Sequence, residues 1–437
     1  MSQPKLTAAA LIPSPPSYLP LLLLLFAGSG CAALIYEIVW LQLLQLVIGS
    51  TAVSLGVLLG TFMGGMCLGS LLLPRCLSRD WHPLRVYALL ELGIGVIGIA
   101  VLFGMPYVEK VYSLYGGHGF AGILLRGLVA GACLLPPTLL MGATLPAIAR
   151  WVESSPQGVA WLGFFYGGNI AGAVLGCLLA GFYLLRVHDM PTATYAACAL
   201  NVTVAFIALG LSSRAPYTPV TADSACGAAP APAVWTVYLA IALSGMSALG
   251  GEVVWTRLLS LLLGGTVYTF SLILAVFLIG LGIGSGIGAF LARRITAMSA
   301  TPRLQQGMDN EVRRIPQLAL GACQLLLTAA IAWAAFMISD ALPNWPINPQ
   351  LSQNPWFTFH LDLDRCLWAV LPPACLWGAS FPLALAAAAE PGQDSGRLVG
   401  GVYAANTVGA IVGALAFSLL VIPAIGTVGA QRILGKE

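Results

Sequence analysis

Long apolar stretches, each roughly the length needed to cross a bilayer, alternate with short polar links along the whole chain. A spanning helix needs about 20 apolar residues, and such runs fall near 19–48, 51–74, 84–105, 120–149, 158–187 and 190–212. A polar, Pro- and Ala-rich connector at 213–232 follows, and then five more runs near 233–263, 266–291, 317–341, 363–389 and 398–425. Lipid offers no partner to bare backbone, and the runs are too long and continuous for barrel strands, so each reads as a helix. The first run has a competing reading, because Leu21–Cys31 with Lys5 before it and Gly28-Ser29-Gly30-Cys31 at its end looks like a lipoprotein signal. The apolar stretch continues to Ile48, however, and its second half has a twin some two hundred residues on, so it reads as the first transmembrane helix. The pattern predicts an all-α polytopic membrane protein with about eleven transmembrane helices.

That twin is part of an internal duplication. Laid over Gly245–Ser285 at a constant offset of 215, Gly30–Ser70 needs no gap and gives 16 identities in 41 positions, among them Glu37/Glu252, Trp40/Trp255, Thr51/Thr266, Gly65/Gly280 and Gly69/Gly284. Shared hydrophobicity aligns Leu with Leu, but it does not bring Glu, Trp and Thr into register. Further along, Pro136-Pro137 and Pro146 match Pro372-Pro373 and Pro382 at 236, and Tyr166, Asn169, Gly172 and Gly176 match Tyr403, Asn406, Gly409 and Gly413 at 237. Six spans separate the starts of the two copies, so both enter the membrane in the same direction, as parallel repeats do. The expected architecture is major-facilitator-like with the twelfth helix missing: a tail at 1–18, a first membrane repeat at 19–212, the connector, a second repeat at 233–425 and a tail at 426–437. In such folds a binding site sits near the midplane between the halves, beside helices interrupted by Gly or Pro, and the double prolines mark equivalent places for such breaks.

Composition agrees: 59% of residues are hydrophobic, 8% are charged and the mean hydropathy is +0.90, which excludes a soluble domain with its roughly 25% charged residues. The net charge of +3 with no basic run gives no footing for a nucleic-acid partner. With the N-terminus cytoplasmic, twelve Lys and Arg fall on that side against five on the other (Lys110, Arg186, Arg365, Arg432 and Lys436), which obeys the positive-inside rule and predicts a multi-pass protein of the cell's inner (plasma) membrane. The ten Cys lie mostly in apolar runs without a CxxC and read as small buried hydrophobes. No metal-ligand cluster, phosphate loop or paired membrane His points to a cofactor.

The candidate chemistry is a set of ionisable and polar residues inside the apolar runs. Glu37 and Glu252 are twins, Glu91 lies in the third run with Gln324 as its equivalent, and Arg257 is answered by Gln42. A charge at a helix centre costs about 2.5–3.5 kcal/mol on insertion scales, so such groups face a cavity or a partner. Three carboxylates converging on a midplane cavity would attract cations and could carry protons. The plainer alternative has Glu252 and Arg257 pairing with other helices as polar glue. Trp40 and Trp255 flank the twin acids. Asn169 and Asn406 either bond across the bundle or line a pore. The stripes Gly56-x3-Gly60-x3-Gly64 and Gly280-x3-Gly284-x3-Gly288 read as packing faces, and Asp362 and Asp364 as charges at a helix N-terminus.

With its IYEIVW core in Gly30–Ser70 and its YxxNTVGAIVG run at Tyr403–Gly413, the chain resembles the membrane half of the fused major-facilitator-like/spermidine synthase family. The resemblance implies a duplicated membrane region that precedes a soluble aminopropyltransferase-like domain, and this chain ends before such a domain, so no enzymatic activity is expected of it. Two functions follow. One is a transporter that moves an organic cation such as a polyamine past Glu37, Glu91 and Glu252. The other is a non-transporting membrane anchor or scaffold for a separate protein partner, an aminopropyltransferase-like enzyme or another membrane complex. In either case membrane lipids surround it.

Overall fold

The structure is a computed structural model that describes residues 19–48, 52–76, 81–115, 120–152, 158–214, 232–299, 309–345, 350, 354–389 and 395–434. The tail at 1–18, most of the connector and residues 435–437 lie outside the described residues. Among the described residues eleven helices are long and apolar enough to cross a membrane, and the protein is an all-α polytopic membrane protein. They are α1 (Leu19–Ile48), α2 (Ala52–Cys76), α3 (Pro83–Tyr115), α4 (Phe120–Val152), α5 (Gly158–Leu179), α6 (Met190–Ser212), α7 (Pro232–Leu263), α8 (Val267–Ser299), α9 (Asp309–Phe336), α10 (Pro355–Ala388) and α11 (Ser395–Ala416), with a short α12 (Ile422–Leu434) after them.

The packing repeats as the sequence does. In the first half α1 packs on α5, α2 on α4 and α3 on α4; in the second α7 packs on α11, α8 on α10 and α9 on α10. Between the halves the main contacts are α2 with α11 and α5 with α8. Exchanging α2 for α8 and α5 for α11 turns each of these into the other, the exchange that a two-fold relation between halves requires. Small residues permit the close approaches. Gly172 and Gly176 of α5 rest on the backbone of α1 at Ala27 and Cys31, and 237 residues later Gly409 and Gly413 of α11 rest on α7 at Ala242 and Met246. A methyl group at any of the four would run into a main-chain carbonyl.

The two glycine stripes serve different contacts. Gly280 and Gly284 pack α8 on α10 within the second half, whereas Gly56 and Gly60 face Ser418 and Leu415 of the other half. Along α2 the contact between halves loosens from the helix's first turns toward its middle: a Cβ at Gly56 would collide with Ser418, at Gly60 it would lie 3.2 Å from Leu415, and at Gly64 its nearest neighbour, Ile411, would be 3.9 Å away.

The double prolines do not break their helices, because α4 and α10 run through them. Proline has no N–H, so Pro372 leaves the Trp368 carbonyl without its in-helix donor; the Trp333 indole of α9 donates to it instead at 2.9 Å. Both fifth helices of the repeats end in a π-helical turn, Ala180–Leu184 after α5 and Phe417–Val421 after α11, again 237 residues apart. The first touches α8 and the second α2, so these turns lie at the contact between halves. Beyond them the chain reverses. In the first half Asp189 caps α6 by accepting the Thr192 amide at 2.9 Å. Its counterpart at the same offset is Gly426, whose φ of 75° a side chain would resist. After Gly426 the end of α12 packs on α7 and α9 where α6 begins its course along α1 and α3.

Candidate functional site: paired carboxylates between the halves

Around the twin acids α1 and α7 are each buried nearly all round: Ile35, Ile38 and Val39 on one and Val253 and Val254 on the other are sealed from the surface. Glu37 and Glu252 sit in this apolar setting, 5% and 7% exposed, on the equivalent helices of the two halves. At the α5–α8 contact between the halves the Cys177 thiol donates to the Ser271 carbonyl at 3.1 Å. Neither carboxylate has a hydrogen-bond or ion-pair partner among the described residues. Two like charges in an apolar setting with no donor or counter-ion are strongly disfavoured, so the pair either takes up protons or draws positive charge from outside the fold.

Aromatic rings flank the acids. Tyr36 stacks on Trp40 with ring centroids 5.1 Å apart, and Trp255 lies 5.4 Å from Trp377, which donates its indole N–H to Ser247 at 3.0 Å. The Tyr36 hydroxyl and the indole N–H groups of Trp40 and Trp255 are buried without a partner. The Tyr36 ring packs on Gly98 of α3 and the Trp255 ring on Trp377 of α10, so these aromatics pack within their own halves and not between the two acids.

The remaining candidates lie elsewhere. Glu91 is sealed within the first half, where Ser29 of α1 donates to one of its oxygens and Asn201 of α6 to the other, each at 2.6 Å. It is fully bonded and does not join Glu37 and Glu252. Arg257 is exposed and forms no ion pair among the described residues, contrary to the pairing with another helix expected of it: five residues along a helix is about 140° of rotation, so a buried Glu252 turns Arg257 outward. Asn169 and Asn406 pack against Gly30 and Gly245, each at the crossing of its own repeat's paired helices, and belong to the bundle's packing.

Sequence reasoning missed several of the polar groups. Arg365, counted above as a loop residue, lies inside α10 at 6% exposed, 3.7 Å from Asp362 one turn earlier. Asp362 is likewise buried and also takes the Tyr268 hydroxyl, so it is not a free charge at a helix end. The i,i+3 spacing of Asp362 and Arg365 was the signal available. Nothing in the sequence pointed to Ser29, Asn201 or Cys177, because their partners are 62, 110 and 94 residues away.

No protein-family model matches the chain, and no curated protein does. Two solved structures are similar in outline. One is a bacterial homolog of the human lysosomal transporter Spinster in an inward-facing, unoccupied conformation, with 14% identity, a TM-score of 0.49, and coverage of 97% of this chain and 99% of that one. The other is such a homolog in an inward-facing, occupied conformation, with 15% identity, a TM-score of 0.47 and coverage of 97% and 98%. At that level of likeness the functional reading rests on the residues of this chain.

Proposed function

We propose that the protein is a major-facilitator-like transporter of the cell's inner membrane, with its N-terminus in the cytoplasm, that moves an organic cation such as a polyamine between its two halves. The observation that carries this reading is the Glu37–Glu252 pair: two buried carboxylates from equivalent helices, without a protein counter-charge among the described residues. A cation bound between them supplies the missing charge. The polyamine assignment also draws on the resemblance to the fused spermidine synthase family. Glu91 and Arg257 have no part in the site, since the first is satisfied and the second exposed.

Uptake of labelled spermidine into proteoliposomes tests the proposal. The wild type is expected to accumulate label, and Glu37→Gln and Glu252→Gln each to abolish at least nine-tenths of it. Absent uptake, or uptake indifferent to both substitutions, removes the transporter reading and leaves the membrane anchor for a separate enzyme or membrane complex.

A further inference from the structure

Glu91 has its hydrogen bonds satisfied but not its charge. The acid is 0% exposed, and its two oxygens take the Ser29 hydroxyl of α1 and the Asn201 amide of α6, each at 2.6 Å. Bonds that short go with an ionised acceptor, and an amide nitrogen can only donate, so the arrangement fits a carboxylate rather than a carboxylic acid. Both donors are neutral. Glu91 has no ion pair among the described residues. Helices α1 and α6 carry no Lys, Arg or His, and the basic residues of α3, Arg85 and Lys110, are exposed toward its ends. A carboxylate buried without a counter-charge is strongly disfavoured however well its lone pairs are bonded.

Asn201 adds a second, independent observation. It is 1% exposed, its nitrogen is committed to Glu91, and its oxygen is buried with no partner. An orphaned acceptor beside an uncompensated carboxylate lacks the same thing, a positive group. The other polar atoms around them are oxygens too: the Ser29 hydroxyl and, one turn away on α1, the Leu25 carbonyl that takes the Tyr87 hydroxyl at 3.3 Å. We infer that the junction of α1, α3 and α6 binds a monovalent metal cation of the Na+ class, with Glu91 supplying the charge and Asn201 Oδ1 and the Ser29 hydroxyl supplying oxygen ligands. Hard cations take such oxygens, and one carboxylate in a neutral shell matches a single charge, whereas divalent-ion sites gather more carboxylates. The second half has no such need. There Gln324 stands in place of Glu91 and donates to Ser380 at 3.0 Å, a neutral side chain that calls for no ion.

Equilibrium binding of radiolabelled Na+ to the purified full chain in detergent tests the site. Saturable binding is expected, weakened at least tenfold by Glu91→Gln and by Asn201→Leu, and kept by Glu37→Gln and Glu252→Gln, whose acids lie apart from it. Because a ligand of the folded state stabilises that state, the wild-type unfolding midpoint is expected to rise with Na+ and not with choline, and the rise to vanish in Glu91→Gln. Absent binding, binding undiminished in Glu91→Gln, or binding lost instead in Glu37→Gln or Glu252→Gln overturns the inference. So does a midpoint indifferent to Na+ that responds to pH through Glu91, which would make the occupant a proton.

Discussion

The chain's buried membrane carboxylates meet the expense of burial in two opposite ways. Glu91 is given donors by Ser29 and Asn201, while Glu37 and Glu252 are given none. Removing each acid therefore has a different consequence. Glu91→Leu strands a buried hydroxyl and a buried amide and is expected to cost about 2–4 kcal/mol, read as a lower unfolding midpoint in detergent. Glu37→Gln and Glu252→Gln strand nothing and relieve a like-charge contact, so their midpoints are expected to hold or rise. A drop at Glu37 or Glu252 as large as that at Glu91 would show that the pair has a structural partner. Which of the acids would pair was only partly legible in the sequence. The angle between Glu252 and Arg257 was readable from helix geometry and already separates them. Asn201 was not readable as a partner of Glu91, since one amide in an apolar helix carries no mark of which of the other helices it meets.

At the level of helices, most of what the sequence announces is realised: the apolar runs become spans and the duplicated glycines become matched crossings. Gly172→Ala and Gly409→Ala each push a methyl into a carbonyl, of Ala27 and Ala242 respectively, and each is expected to cost about 1–3 kcal/mol. Gly104→Ala, with nothing within 4 Å, is expected to be neutral or slightly stabilising. Unequal losses at 172 and 409 in thermal unfolding would argue that the two crossings are not equivalent. The cap of α6 gives a pH signature. The Thr192 hydrogen bonds hold the Asp189 carboxyl below its ordinary range, so its contribution is present above the unfolded value of about 3.9 and fades as pH falls through the lower folded value. Asp189→Ala is therefore expected to lower the unfolding midpoint at pH 7, and the gap from wild type is expected to shrink in acid. A gap independent of pH would rule out the charged cap. The paired π turns were not legible, because an extra residue in a helical turn leaves no compositional trace. The prolines misled for the opposite reason: they announce a break, yet both helices run on through them, and the carbonyl freed by Pro372 takes a donor remote in sequence, the Trp333 indole.

Taken as a whole, the molecule pairs two similar halves that differ where function enters. The acids of α1 and α7 are kept in both copies, and the acid of α3 becomes a glutamine in α9. The preserved pair carries the proposed cargo site. Equilibrium binding of spermidine to the purified full chain in detergent tests the cargo site most directly. The account predicts saturable binding, weakened about 30-fold or more by either Glu37→Gln or Glu252→Gln, with the double substitution little worse than the single ones because the two acids hold one ligand. Binding of unchanged affinity in both single variants, with the fold intact, would contradict it.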